Sequence, residues 1–595
     1  MNIISTITLS KTIHKDINAS IIPVLLTKLK TKTLFEYVSR FIPIPKHYNT
    51  LLNTIEENMK ENNLSMANLT IEYNNINNNN NSNSIINNTK KTKKSKQIKS
   101  KQIKSKQIKS KQTKSKQTKS KQTKSKHTKS KHTKQINTIH QLFIIPINDL
   151  SYNKKDDSEL LELARISGNA MFNRLKNNKI VKVNIINTLD TISNETTYIE
   201  AIMEGLLLSS YRFLTYKTNN SLTKKKDKFE IKKIHLVLPS YKRDIHKDSI
   251  IDKLQKLINQ IKSVFLTRDL INEPANATKI NLFITTVKKY IKENNIPIKL
   301  KVLDKDDLEK LKMGLILGVG KASLKENEPK IMILEYDGID SKNKDNKNKD
   351  KKNSPEYVLL GKGITFDTGG TNLKRGRSLI EMKTDMSGAA VVASFLLGYA
   401  MNKGSKNIYA MCPLVENNIG SGAIKPSDVL TSYSGKTVEI TNTDAEGRLI
   451  LADVLSYVST TYPKSTIIDF ATLTGQQEQL SCKMFSNILS SNSESEVKTL
   501  IEKGKHINEA LVELPMMDKH LSKLKSYVAD IRNASFSCSA DIIMSSLFMK
   551  QFINKNTKWI HIDIAGQSYK TDDIIKYASP EASGVGVRLL FSYFE

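Results

Sequence analysis

The segment N-T-D-A-E-G-R-L at 442–449 places two carboxylates and a guanidinium at a spacing of two residues. In an extended or tightly turned backbone, alternate side chains share one face, so Asp444, Glu446 and Arg448 are predicted to point into one site. Two carboxylates directed at one point repel each other unless a proton or a cation lies between them. Hard divalent cations accept oxygen ligands of this kind, so the segment indicates a metal site. A solvated acidic turn ahead of a helix is the alternative, because acidic residues are favoured there.

The sequence upstream supplies elements that could position such a site. The apolar run at 358–360 is typical of a buried strand, and the glycine-rich segment G-K-G-I-T-F-D-T-G-G at 361–370 predicts a loop at its end. The run S-G-A-A-V-V-A-S-F-L-L-G-Y-A at 387–400 predicts a buried helix. Strand ends and helix starts are where open α/β sheets bind their ligands. Four charged residues occupy such positions: Lys362, Asp367, Lys374 and Asp385.

These segments resemble the leucyl (cytosol) aminopeptidases, which are two-metal exopeptidases with a highly specific N-T-D-A-E-G-R-L signature. The signature is present here without a change. The resemblance runs in order from E-G-L-L-L-S-S-Y-R-F at 204–213, through K-P-S-D-V at 425–429 and A-T-L-T-G at 471–475, to W-I-H-I-D-I-A-G at 559–566. It implies a metal-dependent aminopeptidase that releases N-terminal amino acids, leucine and other apolar residues above all, from peptide substrates.

The resemblance also implies a set of ligands for two divalent metal ions per subunit, zinc and/or manganese. The five ligands are Lys362, Asp367, Asp385, Asp444 and Glu446. Asp367 and Glu446 would bridge the two ions. Asp444 would complete one site, and Lys362 with Asp385 would complete the other. A lysine can bind a metal only as the neutral amine, so the cations would have to lower the pKa of Lys362.

Two catalytic side chains follow from the same resemblance. Lys374 resembles the lysine that faces the scissile carbonyl, where a protonated amine would stabilise the oxyanion. Arg448 resembles the arginine that holds a bicarbonate ion beside the metals. The metal pair would activate a bridging water or hydroxide and polarise the peptide carbonyl. None of the ten histidines falls within the cluster, and His561 is interpreted as a core or supporting residue.

Selectivity for the N-terminus would follow if one metal binds the free α-amino group of the substrate. The first side chain then needs an apolar pocket. The resemblance gives its walls as Met382, Thr472, Leu473, Gly475 and Ala565. Ordinary core packing is the alternative for these residues, and for Leu473 the two interpretations weigh equally. A pocket of this type distinguishes leucine from valine by only ~1–3 kcal/mol, so broad specificity is expected.

Four positions depart from the family pattern: Ala322, Thr368, Ser427 and Asp541. Thr368 is a mild change, whereas Ala322 and Ser427 each replace a glycine. Asp541 stands where a small residue is usual, and it could narrow or acidify one rim of the pocket or face solvent. Every chemically required residue is retained, so we expect an active enzyme.

The chain has 595 residues and a formal net charge of +34, which ordinarily suggests a nucleic acid or an acidic surface as partner. Residues 90–134 hold 20 lysines and no acidic residue in a five-residue repeat, a period that matches neither helix nor strand. With the asparagine-rich run before it, 73–135 is predicted to be a disordered insertion. The repeat is either a neutral expansion or a weak, non-specific polyanion tether whose binding would fall with salt.

We predict an α/β protein with two folded domains. Residues 1–72 and 136–247 form a smaller N-terminal α/β domain, 248–270 is a linker helix, and 271–595 is the catalytic domain. The catalytic domain should contain a mixed sheet sandwiched by helices, with a charged loop insertion at 340–354. The resemblance implies a homohexamer.

Other features of the sequence favour a cytoplasmic location. The three cysteines are not paired in a C-x-x-C pattern, which fits a reducing interior. We find no apolar stretch of membrane-spanning length and no secretory signal at the N-terminus, so no membrane association is expected.

Two functions of other classes fit part of the pattern. A nucleic-acid-binding protein would explain the charge, but it would not need Lys362 or Glu446. A two-metal phosphoesterase uses similar carboxylates but usually recruits histidines as well. The ligand types themselves leave Zn²⁺, Mn²⁺, Mg²⁺ and Co²⁺ open.

Overall fold

The computed structural model describes residues 6–10, 19–25, 67–73, 138–147, 157–186, 195–218, 229–237, 245–276, 279–339 and 354–595. The predicted insertion at 73–135 and the charged run at 340–354 lie outside these residues, apart from Tyr73 and Ser354. The chain divides into two units, one of residues 1–69 with 141–595 and one of residues 70–140.

The strands of the described residues are β1 (Thr6–Ser10), β2 (Ala19–Leu25), β3 (Ala67–Tyr73), β4 (Thr138–Ile147), β5 (Lys182–Ile186), β6 (Lys233–Val237), β7 (Lys299–Leu303), β8 (Lys330–Tyr336), β9 (Tyr357–Gly361), β10 (Gly363–Asp367), β11 (Ile408–Asn417), β12 (Val429–Thr431), β13 (Thr437–Glu439), β14 (Thr466–Ala471), β15 (Ser486–Ser491), β16 (Leu511–Glu513), β17 (Ile531–Arg532) and β18 (Trp559–Asp563).

The α-helices of the same residues are α1 (Asp157–Asn177), α2 (Glu195–Leu208), α3 (Ile245–Asn272), α4 (Lys279–Glu293), α5 (Lys305–Lys310), α6 (Gly314–Val319), α7 (Ser378–Glu381), α8 (Ser387–Met401), α9 (Gly447–Thr461), α10 (Gly475–Ser481), α11 (Glu494–His506), α12 (Asp541–Lys550) and α13 (Val587–Phe594).

The N-terminal part of the chain forms a six-stranded sheet in the order β1-β6-β5-β2-β4-β3. The pairs β1/β6, β6/β5, β5/β2 and β2/β4 are parallel. Parallel strands need crossover connections, and α1 and α2 supply two of the helices between them.

The C-terminal part is built on a nine-stranded sheet in the order β16-β15-β18-β14-β9-β11-β8-β7, with β10 added beside β11. Its centre is parallel, since β18, β14, β9 and β11 run in one direction. Strands β15 and β8 join antiparallel on either side. The sheet is therefore mixed.

Helices cover both faces of this sheet. Alternate residues of one strand face opposite ways, and Leu359 of β9 contributes to one hydrophobic core while Val358 and Leu360 contribute to the other. The first core includes residues of α3, α8 and α13, and the second includes residues of α6, α9 and α12. A mixed sheet between two layers of helices confirms the predicted fold class.

The parallel strands bring distant parts of the chain to one edge of the sheet. Strands β9, β11 and β14 are parallel and end at Gly361, Asn417 and Ala471, and β10 runs parallel to β11 and ends at Asp367. Because carboxyl ends of parallel strands meet at the same edge, the residues that follow them lie close together.

The helical stretch Ser378–Met401 is long and apolar enough to cross a membrane by length and composition, contrary to the expectation that no such stretch exists. Of its most apolar window, 94% is buried inside the protein. Within that stretch, α8 packs against strands β9, β11 and β14 and contributes to the first core. This is the environment of a core helix.

Ser427, which replaces a glycine of the family pattern, has a φ of +79°. A side chain in this region is strained, whereas glycine is not. We expect Ser427→Gly to raise the melting temperature by about 1–3 °C, because relief of roughly 1 kcal/mol of strain shifts a large domain by that amount. Thermal unfolding followed by circular dichroism would measure the change. Ser427→Ala keeps the strain and serves as the control, so equal melting temperatures for the two variants would contradict the prediction.

Candidate metal centre

Three carboxylates meet at the edge described above. Asp367 ends β10, while Asp444 and Glu446 belong to the loop that leads into α9. Ligand oxygens of the three residues all lie within 4.8 Å of one another. Asp367 and Glu446 are 2% and 1% exposed. Such crowding of buried acids needs positive charge between them.

Lys362 supplies part of that charge. It follows β9 and is 2% exposed. Its Nζ lies 2.9 Å from Oδ1 of Asp385 and 3.0 Å from Oε1 of Glu446. The same amine donates a hydrogen bond to the carbonyl oxygen of Thr472 at 2.9 Å. Lys362 thus joins Asp385, which precedes α8, to the other three acids.

Lys374 supplies the second positive charge. Its Nζ lies 2.8 Å from Oδ2 of Asp367 and 2.5 Å from Oδ1 of Asp444. The structure therefore brings together the five residues predicted as metal ligands and the lysine predicted to face the substrate carbonyl. With all groups ionised, four carboxylates and two ammonium groups leave an excess of negative charge.

The pKa values reflect this crowding. The pKa of Asp444 is raised to about 7, first by burial and then by the charges of Asp367 and Glu446. Burial also raises the pKa of Asp385 well above its usual value. Burial opposes ionisation of Glu446 too, but Lys362 and Lys374 outweigh it and lower the pKa of Glu446.

The pKa of the Lys362 amine is also shifted by this crowding. Burial works against its positive charge, yet Asp385 and Glu446 outweigh burial, so the pKa of Lys362 lies above its usual value. The neighbouring carboxylates therefore favour the ammonium form of this lysine. The lowered pKa that metal ligation would require has to come from bound cations, as the sequence analysis supposed.

Two oxygens of the cluster show that it suits a metal. Oδ2 of Asp385 and Oε2 of Glu446 are buried and have no hydrogen-bond partner among the described residues. Buried polar atoms without partners are rare, and each calls for an explanation such as an ion. Carboxylate oxygens with excess negative charge are the donors that divalent cations prefer. The residues present therefore fit a divalent metal centre.

Gly447 makes room for Lys362. A Cβ at this first residue of α9 would lie 2.5 Å from Cε and 2.6 Å from Nζ of Lys362. Atoms cannot approach so closely, so a side chain at position 447 would displace the end of Lys362.

The predicted alternation of side chains, in which Asp444, Glu446 and Arg448 share one face, does not continue to Arg448. Glu446 already has helical dihedrals, with φ −78° and ψ −34°, and α9 begins at the next residue. The backbone therefore enters a helix at Glu446 and is no longer extended. The Arg448 guanidinium, 3% exposed, donates to the carbonyl oxygen of Asn533 and to the carboxylate of Asp541.

The residues predicted to line the substrate pocket fall around the centre to different degrees. Thr472 touches it, since its Oγ1 donates to Oδ1 of Asp385 at 2.7 Å. The backbone amides of Leu473 and Ala565 both donate to Oδ1 of Asp563, at 3.1 and 3.2 Å. Leu473 is partly buried and packs against the second core, which suits either a pocket wall or ordinary packing.

The other two predicted pocket residues, Met382 and Gly475, make few contacts that would fix their role. Met382 is partly buried, and its carbonyl oxygen accepts from the backbone of Asp385 at 3.4 Å. Gly475 is exposed, and nothing lies within 4 Å of where its Cβ would be. The assignment of all five residues to pocket walls remains a prediction.

Two supporting residues were not predicted from the sequence. Asn417 ends β11, and its Nδ2 donates to Oδ1 of Asp367 at 2.8 Å and to the carbonyl oxygen of Thr443 at 3.1 Å. Asp563 ends β18 and holds the turn after β14, as described for Leu473. Each is a polar residue that ends a buried strand, and this signal could have identified both.

His561 lies in β18 and is fully buried. Its Nδ1 is 2.6 Å from Oδ1 of Asp469, whose other oxygen accepts from Nε1 of Trp559. These contacts join the neighbouring strands β14 and β18. They are consistent with the interpretation of His561 as a core or supporting residue.

Comparison with known proteins identifies the family of the chain. The model of the cytosol aminopeptidase family catalytic domain matches residues 265–591. The chain is 36% identical over 419 residues to a probable cytosol aminopeptidase of Protochlamydia amoebophila, covering 70% of this chain and 78% of that protein. It is 34% identical over 458 residues to a probable cytosol aminopeptidase of a Geobacter species, covering 76% and 87%.

A solved structure has a similar fold. It is the bottromycin maturation enzyme BotP in complex with Mn, with a TM-score of 0.64, 23% identity, and coverage of 76% of this chain and 90% of that one. The sheet with its edge of acids and these matches define a peptidase that uses divalent metal ions. The chain belongs to the cytosol aminopeptidase family.

Proposed function

We propose that this protein removes N-terminal residues from peptides at a centre of two metal ions held by Lys362, Asp367, Asp385, Asp444 and Glu446. The observation that carries the proposal is the cluster that these residues form, buried except at Asp444, in a chain of the cytosol aminopeptidase family. Zinc and manganese are the metals we expect. Asp367 and Glu446 would be shared by both ions, as the family resemblance implies.

When bound, two divalent ions would supply Lewis acidity toward the peptide carbonyl and would lower the pKa of a water molecule. The four carboxylates would balance the charge of the ions. Lys362 would contribute its amine as a ligand in the neutral form. Its contacts with Asp385 and Glu446 support this assignment, because a cation held by the same two carboxylates would lie beside the nitrogen.

Lys374 would act on the substrate itself. It is the less buried of the two lysines, with a side chain 18% exposed against 3% for Lys362. An ammonium group that retains its proton stabilises negative charge on a carbonyl oxygen during attack. Burial opposes the charge of Lys374, but Asp367, Glu446 and Asp444 outweigh it and hold the pKa of Lys374 above its usual value, which favours the charged amine.

The preference for leucine and other apolar residues would come from a pocket formed by Met382, Thr472, Leu473, Gly475 and Ala565. Thr472 ties this group to the centre, because it contacts Asp385 through its hydroxyl and Lys362 through its carbonyl. A pocket of this type separates residues that differ by one methylene by only ~1–3 kcal/mol, so several apolar residues should be accepted.

Three further features belong to the proposal through the family resemblance and the composition. They are a homohexameric assembly, a cytoplasmic location, and weak, salt-sensitive binding of polyanions by the lysine repeat at 90–134. A bicarbonate ion at Arg448 was also implied, but that guanidinium is already paired with Asp541.

Removal of metal tests the proposed function. We expect the protein to release a fluorophore from a leucyl amide, to lose this activity to a chelator, and to regain it with Mn²⁺ or Zn²⁺, because the acids need the ions to act on a carbonyl. The N-acetylated leucyl amide is the control, since it has no free amino group. Activity that survives chelation, or equal cleavage of both substrates, would contradict the proposal. Metal-dependent turnover of a phosphate ester instead would favour the phosphoesterase.

A further inference from the structure

Arg448, the second residue of α9, buries its guanidinium against a carboxylate from another helix. Nη2 donates to Oδ1 of Asp541 at 2.7 Å, and Nη1 donates to the carbonyl oxygen of Asn533 at 3.0 Å. Nε is buried and has no hydrogen-bond partner among the described residues. Nε and Nη2 lie on one edge of the guanidinium, and such an edge matches one carboxylate-shaped anion. Asp541 already bonds Nη2, one of the two nitrogens of that edge.

Asp541 is well placed to hold its negative charge. It is the first residue of α12, and its side chain is 45% exposed. A carboxylate is favoured in the first turn of a helix. The carboxylate is therefore stabilised by the helix terminus, by solvent and by Arg448 at once.

The ion pair is connected to the loop that carries two of the proposed metal ligands. Asn533, whose carbonyl oxygen accepts from Arg448, also binds that loop through its side chain. Its Oδ1 accepts from the backbone of Thr441 at 2.8 Å, and its Nδ2 donates to the carbonyl oxygen of Asn442 at 2.7 Å. Arg448 itself is two residues from Glu446. An anion bound to Arg448 would therefore lie beside the hydrogen bonds that hold the loop of Asp444 and Glu446.

We propose that Asp541 is a built-in counter-anion for Arg448 and takes the place of a free oxyanion of the carbonate class. A free anion bonded to both Nε and Nη2 would share Nη2 with the Asp541 carboxylate, and like charges so close repel. With a small residue at 541, the buried guanidinium would lack its carboxylate partner and would recruit an anion from solution. The pairing stands on its own contacts, and only its link to catalysis rests on the proposed function.

The test is the response of the full-length, metal-loaded protein to bicarbonate. In the wild type, bicarbonate is expected to shift neither the melting temperature nor the turnover of a leucyl amide beyond the effect of equal sodium chloride. Asp541→Ala should melt at a lower temperature in carbonate-free buffer. Added bicarbonate should then restore its melting temperature and turnover, because a ligand that binds only the folded state stabilises it.

Two control variants distinguish the loss of the Asp541 charge from the loss of its side-chain volume and from the loss of a carboxylate elsewhere. Asp541→Asn keeps the volume and one acceptor oxygen, so it should lose some stability but gain no response to bicarbonate. Asp518→Ala removes an exposed carboxylate that pairs with Lys550 at the other end of α12, and it should behave as the wild type. The melting temperature does not depend on peptidase activity, so this test can fail or succeed independently of the proposed function.

Two results would overturn the inference. One is a wild type whose melting temperature or turnover rises with bicarbonate as strongly as that of Asp541→Ala, which would show that a free anion binds beside Asp541. The other is an Asp541→Ala variant that responds to bicarbonate no more than to chloride, which would leave Asp541 with a structural role only.

Discussion

Glu446→Gln is expected to abolish peptide hydrolysis while the protein remains folded. Glu446 is 1% exposed, lies 3.0 Å from the Lys362 amine, and shares the cluster with Asp367 and Asp444. Glutamine preserves the shape of the side chain but removes the negative charge that would balance two cations. Because loss of even an outer partner of a metal ligand costs ~10–100-fold, loss of a shared ligand should lower kcat/KM by more than ~100-fold.

Three measurements check this expectation. The kcat/KM for a leucyl amide should collapse, the metal content per chain should fall, and the circular dichroism spectrum should be unchanged. Glu356→Gln is a matched control, because Glu356 is a half-exposed glutamate paired with Lys406 at the surface. A Glu446→Gln enzyme with a tenth or more of wild-type turnover would show that Glu446 is not a shared ligand.

Gly447→Ala is expected to disable the centre by displacing Lys362. The added Cβ would lie 2.5 Å from Cε of that lysine. A flexible side chain at the surface could move away, but Lys362 is 2% exposed and its amine is held by Asp385, Glu446 and the carbonyl of Thr472. The lysine must leave this position, so metal affinity and turnover should both fall, and more metal should be needed for any residual activity.

A double-mutant cycle isolates this mechanism. In a Lys362→Ala background the clash is absent, so adding Gly447→Ala should cause little further loss of stability or metal content. Gly420→Ala is the control for glycine replacement, because the nearest atom to its Cβ would be 3.7 Å away. Additive losses in the double variant would mean that Gly447 matters for a reason other than Lys362.

The sequence predicted much of this centre because several of its residues lie in short, specific motifs. Asp444 and Glu446 stand two apart in a turn, and their approach follows from local geometry alone. Arg448 shows the limit of that argument, since α9 begins at Gly447 and a helix directs position 448 elsewhere. The alternation expected of an extended or tightly turned backbone therefore does not reach this residue.

Other parts of the centre depend on the order of strands in the sheet, which no local pattern contains. Asn417 reaches Asp367 because β10 pairs with β11. Asp563 reaches Leu473 because β18 lies beside β14. The pairing of Asp541 with Arg448 joins residues 93 positions apart. The sequence marked Asp541 as unusual, but it left open whether that carboxylate faced the pocket or solvent.

The convergence of strand ends on one edge of the sheet also determines when this enzyme can become active during its synthesis. The proposed ligands span 362–446, and the turn beside them is held by Asp563 near the C-terminus. A ribosome-bound chain that stops before β18 lacks this support, so its hydrolytic site is incomplete. Newly made protein therefore completes this site only once β18 has been translated and has folded against β14.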